Sequence, residues 1–292
     1  MVLSEYHIAL NIRDALSVME KAQGGARILA GGTDLMLQQR RGERKVNTLV
    51  DITRIPGLDR IEKQGTALIL GSLVTHTQAA ESPIVRRHLP ALAEACGRVG
   101  SPQIRNVGTL VGNIVSAQPG ADAALALHVY DTKVGIVGRG GERNMALPEL
   151  YEGVGICCVD SCRELITRLI VQLPQEGCGS SFERLSQRGT LSLPVVNTAV
   201  SLRLDRSTGS IVQSRVIVGP VSSIPFEAVK AEAVLAGSDP SSRVFTEAAK
   251  AAADEAQPRE SLLRGGREYR KCMVEVMVRR ALIQALERSK EI

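Results

Sequence analysis

The stretch ARILAGGTDLM, residues 26–36, leaves an apolar run, passes two glycines and a threonine, and enters what reads as a helix. A turn accounts for the glycines. A strand that empties through small residues into a helix start also bares backbone amides to an anion such as a phosphate. The residues alone leave both readings open. The loop lacks the lysine of a Walker P-loop, and no GxGxxG follows a strand, which argues against an ATPase and against a dinucleotide-binding Rossmann domain. What is left is a backbone cradle: glycines let the main chain approach a diphosphate, and Thr33 adds a hydroxyl donor. Asp34 reads as an N-cap or amide acceptor, because its charge repels a phosphate.

On either side of this stretch the pattern alternates. YHIAL (6–10) reads as a strand and RDALSVMEKA, from Arg13, as a helix stopped by Gly24 and Gly25. ARILA is the second strand, DLMLQQRRG a helix closing on Gly42, and NTLVDI the third strand, together a small α/β unit. LDRIEK and ALILGSLV read as a hairpin opening a second unit, followed by a helix from Pro90 to Val99, a nearly uncharged segment, the strands TKVGIVG and ERNMAL, and ELITRLIVQLP. PQEGCGSS (174–181) marks a boundary. Beyond it, PVVNTAVSLRLD and SIVQSRVIVG pair across RSTG, and three helices follow: Phe226 to Leu235, Val244 to Ala256, and Arg267 to about Arg288. In the last, Tyr269, Met273, Val276, Ala281 and Leu282 approximate the apolar face.

A length of 292 residues allows more than one core. With 44% hydrophobic and 23% charged residues the composition is that of a soluble globular protein. No apolar run reaches the roughly 18 residues of a membrane span, and the start MVLSEYHIAL lacks a signal's basic region and cleavage site, so a cytoplasmic protein is expected. The net charge of +5 is scattered, and with three Phe, four Tyr and no Trp there is little to stack on bases; nucleic acid is not an expected partner. Cys157, Cys158, Cys162 and Cys178 raise a metal hypothesis, but no CxxC pair occurs, and no metal site is expected.

A second small-residue loop, GTLVGN (108–113), contains Thr109 and Asn113, and beyond it Asp122 stands alone in uncharged surroundings. A buried carboxylate there needs partners. Hydroxyls of a sugar or ribityl chain supply them in the functional reading; in the bland one Asp122 is the N-cap of AALAL. Two such loops plus one isolated acid fit a long ligand containing a diphosphate.

In order and spacing, RILAGGTDLM, LVDITRI, LILGSLVTHTQ, IRNVGTLVGNIVSAQPGADA and ELITRLIVQLP resemble the FAD-binding subunit of the molybdenum hydroxylase family, the xanthine dehydrogenase and carbon monoxide dehydrogenase type. FERLSQR and YRKCMVEVMVRRAL resemble that family's C-terminal domain. The resemblance implies an α+β fold: FAD-binding subdomains over 1–57 and 58–175, then a domain over 176–292 with a three-stranded antiparallel sheet and a three-helix bundle. It also implies FAD as cofactor. The implied partners are a molybdopterin-binding large subunit, a small subunit with two-iron iron–sulfur clusters, and an acceptor such as NAD or quinone. No catalytic side chain is implied. By position, Ile28, Leu29, Ala30, Gly31, Gly32, Thr33, Asp34 and Leu35 form the family's first loop, and Thr109, Leu110, Val111, Gly112 and Asn113 its second, both against the diphosphate. Asp122 matches the acid facing the sugar-like portion, Leu169 an apolar contact to the flavin, and Arg184 a position where the family often has lysine. Val111 stands where glycine is common. The alternative is an assembly module of the same fold without flavin.

Overall fold

The computed structural model describes residues 3–44 and 46–290. The chain begins with β1 (Glu5–Ile8), α1 (Ile12–Lys21), β2 (Ala26–Leu29), α2 (Leu35–Arg40) and β3 (Thr48–Asp51). Helical crossovers force parallel pairing, and the three strands lie in the order β1-β3-β2. Asn11 caps α1 by accepting from the Asp14 amide, and Ala15 and Met19 turn inward onto the sheet.

β4 (Ile61–Gln64) and β5 (Ala67–Gly71) form the expected hairpin. Five short helices follow where the sequence announced only one: α3 (His76–Glu81), α4 (Pro83–His88), α5 (Pro90–Arg98), α6 (Pro102–Val107) and α7 (Leu110–Val115). Three of them open on proline, which lacks the amide that a first helical turn leaves unpaired. None of α3, α4, α6 or α7 is long enough to display an apolar period, so the starts of α3, α6 and α7 are written in caps instead, with Thr75 and Gln78 in a reciprocal capping box. α8 (Asp122–Leu127), β6 (Lys133–Gly138), β7 (Gly141–Ala146), the small pair β8 (Tyr151–Gly153) and β9 (Ile156–Cys157), and β10 (Glu164–Gln172) complete this part. Its sheet, β4-β5-β10-β6-β7, is antiparallel throughout.

The last part contains β11 (Cys178–Ser186), β12 (Pro194–Leu204), β13 (Ile211–Gly219), β14 (Phe226–Glu227), α9 (Val229–Leu235), α10 (Ser242–Glu255) and α11 (Arg267–Ser289). The three expected strands are joined by a fourth, because Phe226 and Glu227 do not start the helix. They pair with Val218 and Ile217, and the Ala228 amide extends the ladder to Val216 O at 2.8 Å. Pro225 keeps its predecessor extended, which favours this course over a helix.

On α11 the buried stripe is Arg270, Val274, Met277, Val278, Ala281, Leu282 and Ala285. The expected face is therefore turned, and Tyr269 is 51% exposed. The cause is Arg270, a polar residue no hydrophobic count places inside. Its guanidinium donates one bond each from Nε, Nη1 and Nη2, to Val195 O, Arg259 O and Pro220 O. Against β11 the helix comes so close at Gly179 that a Cβ there would lie 2.0 Å from Ala285 O.

The buried apolar residues form three clusters. Leu73 and Leu165 join the N-terminal one, while Phe182, Ala199 and Ile217 join the central one, so packing ties the parts together. No helix among the described residues is long and apolar enough to cross a membrane.

Glu232 on α9 accepts the Val216 amide at 2.9 Å, and burial pushes its carboxyl up to about 7, with Glu227 and Glu255 adding to the rise against Arg215 and the amide. The folded state thus holds this proton more tightly than the unfolded chain, whose value is 4.5. The associated stabilisation is complete below the unfolded value and is lost as pH rises through about 7. Glu232→Gln should lose that component, so the gap in melting temperature between variant and wild type should change across this window; a constant gap would refute the assignment.

Candidate functional site

β2 is an edge strand, and after Leu29 O accepts the Ile52 amide at 3.0 Å its pairing ends. The chain then turns through Ala30, Gly31, Gly32, Thr33 and Asp34 into Leu35, the first residue of α2. Gly32 has φ +68°, a conformation that a side chain strains. The amides of Gly31, Gly32, Thr33 and Asp34 have no hydrogen-bond partner among the described residues. Four consecutive free donors are the kind of backbone that can hold an anion. Asp34 occupies the N-cap position, but its carboxylate makes no capping bond and the side chain is exposed. Ile28 and Ala30 pack on the N-terminal core, so the loop rises from a rigid base.

In the second loop Thr109 bridges to Thr75: the His76 amide donates to Gly108 O at 3.1 Å and the Leu110 amide to Val74 O at 3.0 Å. Thr109 Oγ1 then caps α7 by accepting from the Gly112 amide at 3.0 Å. The amides of Thr109 and Val111 remain without partners among the described residues. Leu110 and Val111 are buried in the central core, and Asn113 Oδ1 accepts the Ala124 amide at 3.0 Å, which fastens the loop to α8. Thr109→Val, isosteric but without the acceptor, should lower stability by about 1 kcal/mol in denaturant melts, and Thr109→Ser should restore most of it. Equal stability of all three proteins would remove the cap from the account.

The two loops meet. A Cβ built on Gly31 would lie 2.0 Å from Val107 O and 3.1 Å from the Gly108 Cα, so backbone touches backbone where the first loop passes the entry to the second.

Asp122 begins α8 but does not cap it, and its carboxylate is buried. Asn197 Nδ2 donates to Oδ1 at 2.7 Å, and Arg184 Nε lies 3.2 Å from Oδ2, an ion pair at an angle outside hydrogen-bond geometry. Burial pushes the carboxyl up to about 6, while Arg184 and Asn197 pull it back. Arg184 also donates to Ser192 O. The acid that sequence reasoning left for a ligand or solvent thus has protein partners on both oxygens. Asn197, which that reasoning missed, is fully buried and signalled only as a polar interruption of the apolar run PVVNTAV. Leu169 lies between Leu70 and Val134 in the central core with no exposed surface. The six cysteines are free thiols, and no group of three or more metal-ligating side chains occurs among the described residues.

Residues 3–175 match the family model described as FAD binding domain in molybdopterin dehydrogenase. The chain belongs to this family. Residues 181–285 match a second model, the CO dehydrogenase flavoprotein C-terminal domain. Among relatives of this molybdopterin dehydrogenase flavoprotein, the xanthine dehydrogenase FAD-binding subunit of Escherichia coli O157:H7 is 28% identical over 97% of this chain and 96% of its own. The carbon monoxide dehydrogenase medium chain of Hydrogenophaga pseudoflava is 29% identical over 97% of each. A solved carbon monoxide dehydrogenase from the same organism superposes with a TM-score of 0.91 at 28% identity, covering 99% of both chains. The protein is an FAD-binding subunit of the oxidoreductase class. Its own residues fit that cofactor: unpartnered amides supply donors for a diphosphate, and Gly31 keeps the two loops in contact where any Cβ would part them.

Proposed function

We propose that this flavoprotein relays electrons within a complex, receiving them from two-iron clusters of a small subunit and delivering them to an acceptor such as NAD or quinone. A molybdopterin-bearing large subunit would oxidise the organic substrate. The observation that carries the reading is the row of free amides from Gly31 to Asp34, in backbone contact with the entry to the second loop. FAD supplies the redox chemistry when bound.

The chain's part is to bind and orient. The Gly31–Asp34 amides and the Thr33 hydroxyl would hold the diphosphate, joined by the Thr109 and Val111 amides. Neutral donors of this kind hold a dianion without a lysine. Asp122 serves as a positioning residue, gripping Arg184 and Asn197 at the head of the helix to which Asn113 is tied. Leu169 supports from within the core.

Purified chain mixed with FAD and passed through gel filtration should retain a flavin spectrum near one equivalent. A tagged chain should draw two further subunits from its source cell, one carrying molybdopterin and one iron–sulfur clusters. A folded chain that keeps no flavin would overturn the reading.

A further inference from the structure

A cavity of about 500 Å³ opens between the segment after β13, the end of α10 and the connection into α11. Three arginines line it, Arg259, Arg264 and Arg270. Arg270 is 2% exposed, and every partner it has among the described residues is a neutral carbonyl, so no carboxylate among them balances its charge. The side chains of Arg259 and Arg264 have no hydrogen-bond or ion-pair partner among the described residues. Burial lowers the affinity of Arg264 and Arg270 for their protons, and neighbouring cations lower it further, Arg259 at Arg264 and Arg264 with Arg259 at Arg270.

Two carboxylates also line the cavity, yet neither pairs with these arginines within 4.0 Å among the described residues. Glu255 Oε2 instead accepts the Lys230 amide at 3.0 Å, and Glu260 Oε1 accepts the Arg267 amide at 3.1 Å. Ser261 Oγ accepts from the Arg264 amide at 3.1 Å and keeps its own proton to give. The hydroxyls of Ser222 and Ser223 are without partners among the described residues. The remaining wall is apolar, with Pro119, Val154, Val221 and Phe226.

A forked cation left unpaired beside free hydroxyls matches a tetrahedral oxyanion, which takes several N–H and O–H donors at once. The volume exceeds that of a bare phosphate ion and lies in the range of small-molecule sites, about 300–1,000 Å³. We propose that this cavity binds a small phosphomonoester, its phosphate between Arg259, Arg264 and the serines and its apolar or aromatic body against Phe226. The site lies outside both loops assigned to FAD and does not depend on the flavin reading.

Calorimetric titration of the full chain, in excess FAD so that the flavin cradle is filled, tests this with adenosine 5′-monophosphate, inorganic phosphate and adenosine as probes. The nucleotide should bind saturably and phosphate more weakly, and adenosine should give no saturable heat. Arg264→Ala and Arg259→Ala should each weaken the nucleotide at least tenfold with unchanged melting temperature. Arg243→Ala, on an exposed residue of α10 that does not line the cavity, should change nothing. The proposal is overturned if no probe saturates, if adenosine equals its phosphate, or if the two cavity variants bind as tightly as wild type.

Discussion

Gly31→Ala is expected to abolish retention of FAD through gel filtration and to lower stability by about 1–3 kcal/mol, the usual range for overpacking a closed site. The added methyl would start 2.0 Å from Val107 O, and its obstacle is backbone rather than a side chain that can swing away. The first loop must then lift from Val107 and Gly108, which separates the free amides on the two sides of the proposed diphosphate. Gly97→Ala provides the contrast: it lies within α5, a Cβ there meets nothing within 4 Å, and alanine is the better helix former. That variant should keep its flavin and gain up to about 1 kcal/mol. If Gly31→Ala binds FAD as wild type does, the convergence of the loops is irrelevant to the cofactor.

Asp122→Ala and Arg184→Ala are each expected to cost about 3–5 kcal/mol, since either leaves an uncompensated charge in a dry interior. The Arg184 side chain is only 4% exposed and that of Asp122 only 7%, so water is not available to replace the lost partner. Burial outweighs the pull of Arg184 and Asn197 on the carboxyl, as its rise to about 6 records. The pair is thus a device of position more than of net stability. Asp122→Ala combined with Arg184→Ala should therefore cost less than the sum of the single replacements, with a coupling in the range of about 0.5–3 kcal/mol. Denaturant unfolding of the four proteins gives the cycle, and additive costs would show that the two side chains do not act together. FAD retention should fall in the single variants, because α8 also holds the second loop through Asn113 and Ala124.

The order of strands and helices was legible wherever a segment was long enough to show its period. The unit around β2, the hairpin of β4 and β5, and the long strands β12 and β13 follow directly from alternation and glycine stops. Short elements were not: α3, α4, α6 and α7 span six residues each, less than two full turns, so they show no face. Polar residues that turn inward misled in the same way. Arg270 rotated the buried stripe of α11 away from the expected one, and Asn197 was passed over inside an apolar strand. Hydrophobic pattern records where apolar surface goes, whereas a buried polar group is placed by partners that are remote in sequence.

By itself the sequence determined that two runs of small residues interrupt regular structure, that neither holds a P-loop lysine, and that one acid stands alone among uncharged neighbours. Those are properties of composition and local spacing, readable from adjacent residues. Only the tertiary structure decided that Gly31 touches the chain at Val107, and that Asp122 is answered by Arg184 and Asn197 from strands far along the polypeptide. Contacts of that kind depend on how sheets and helices close over one another, and close packing allows a single arrangement where local preference allows many.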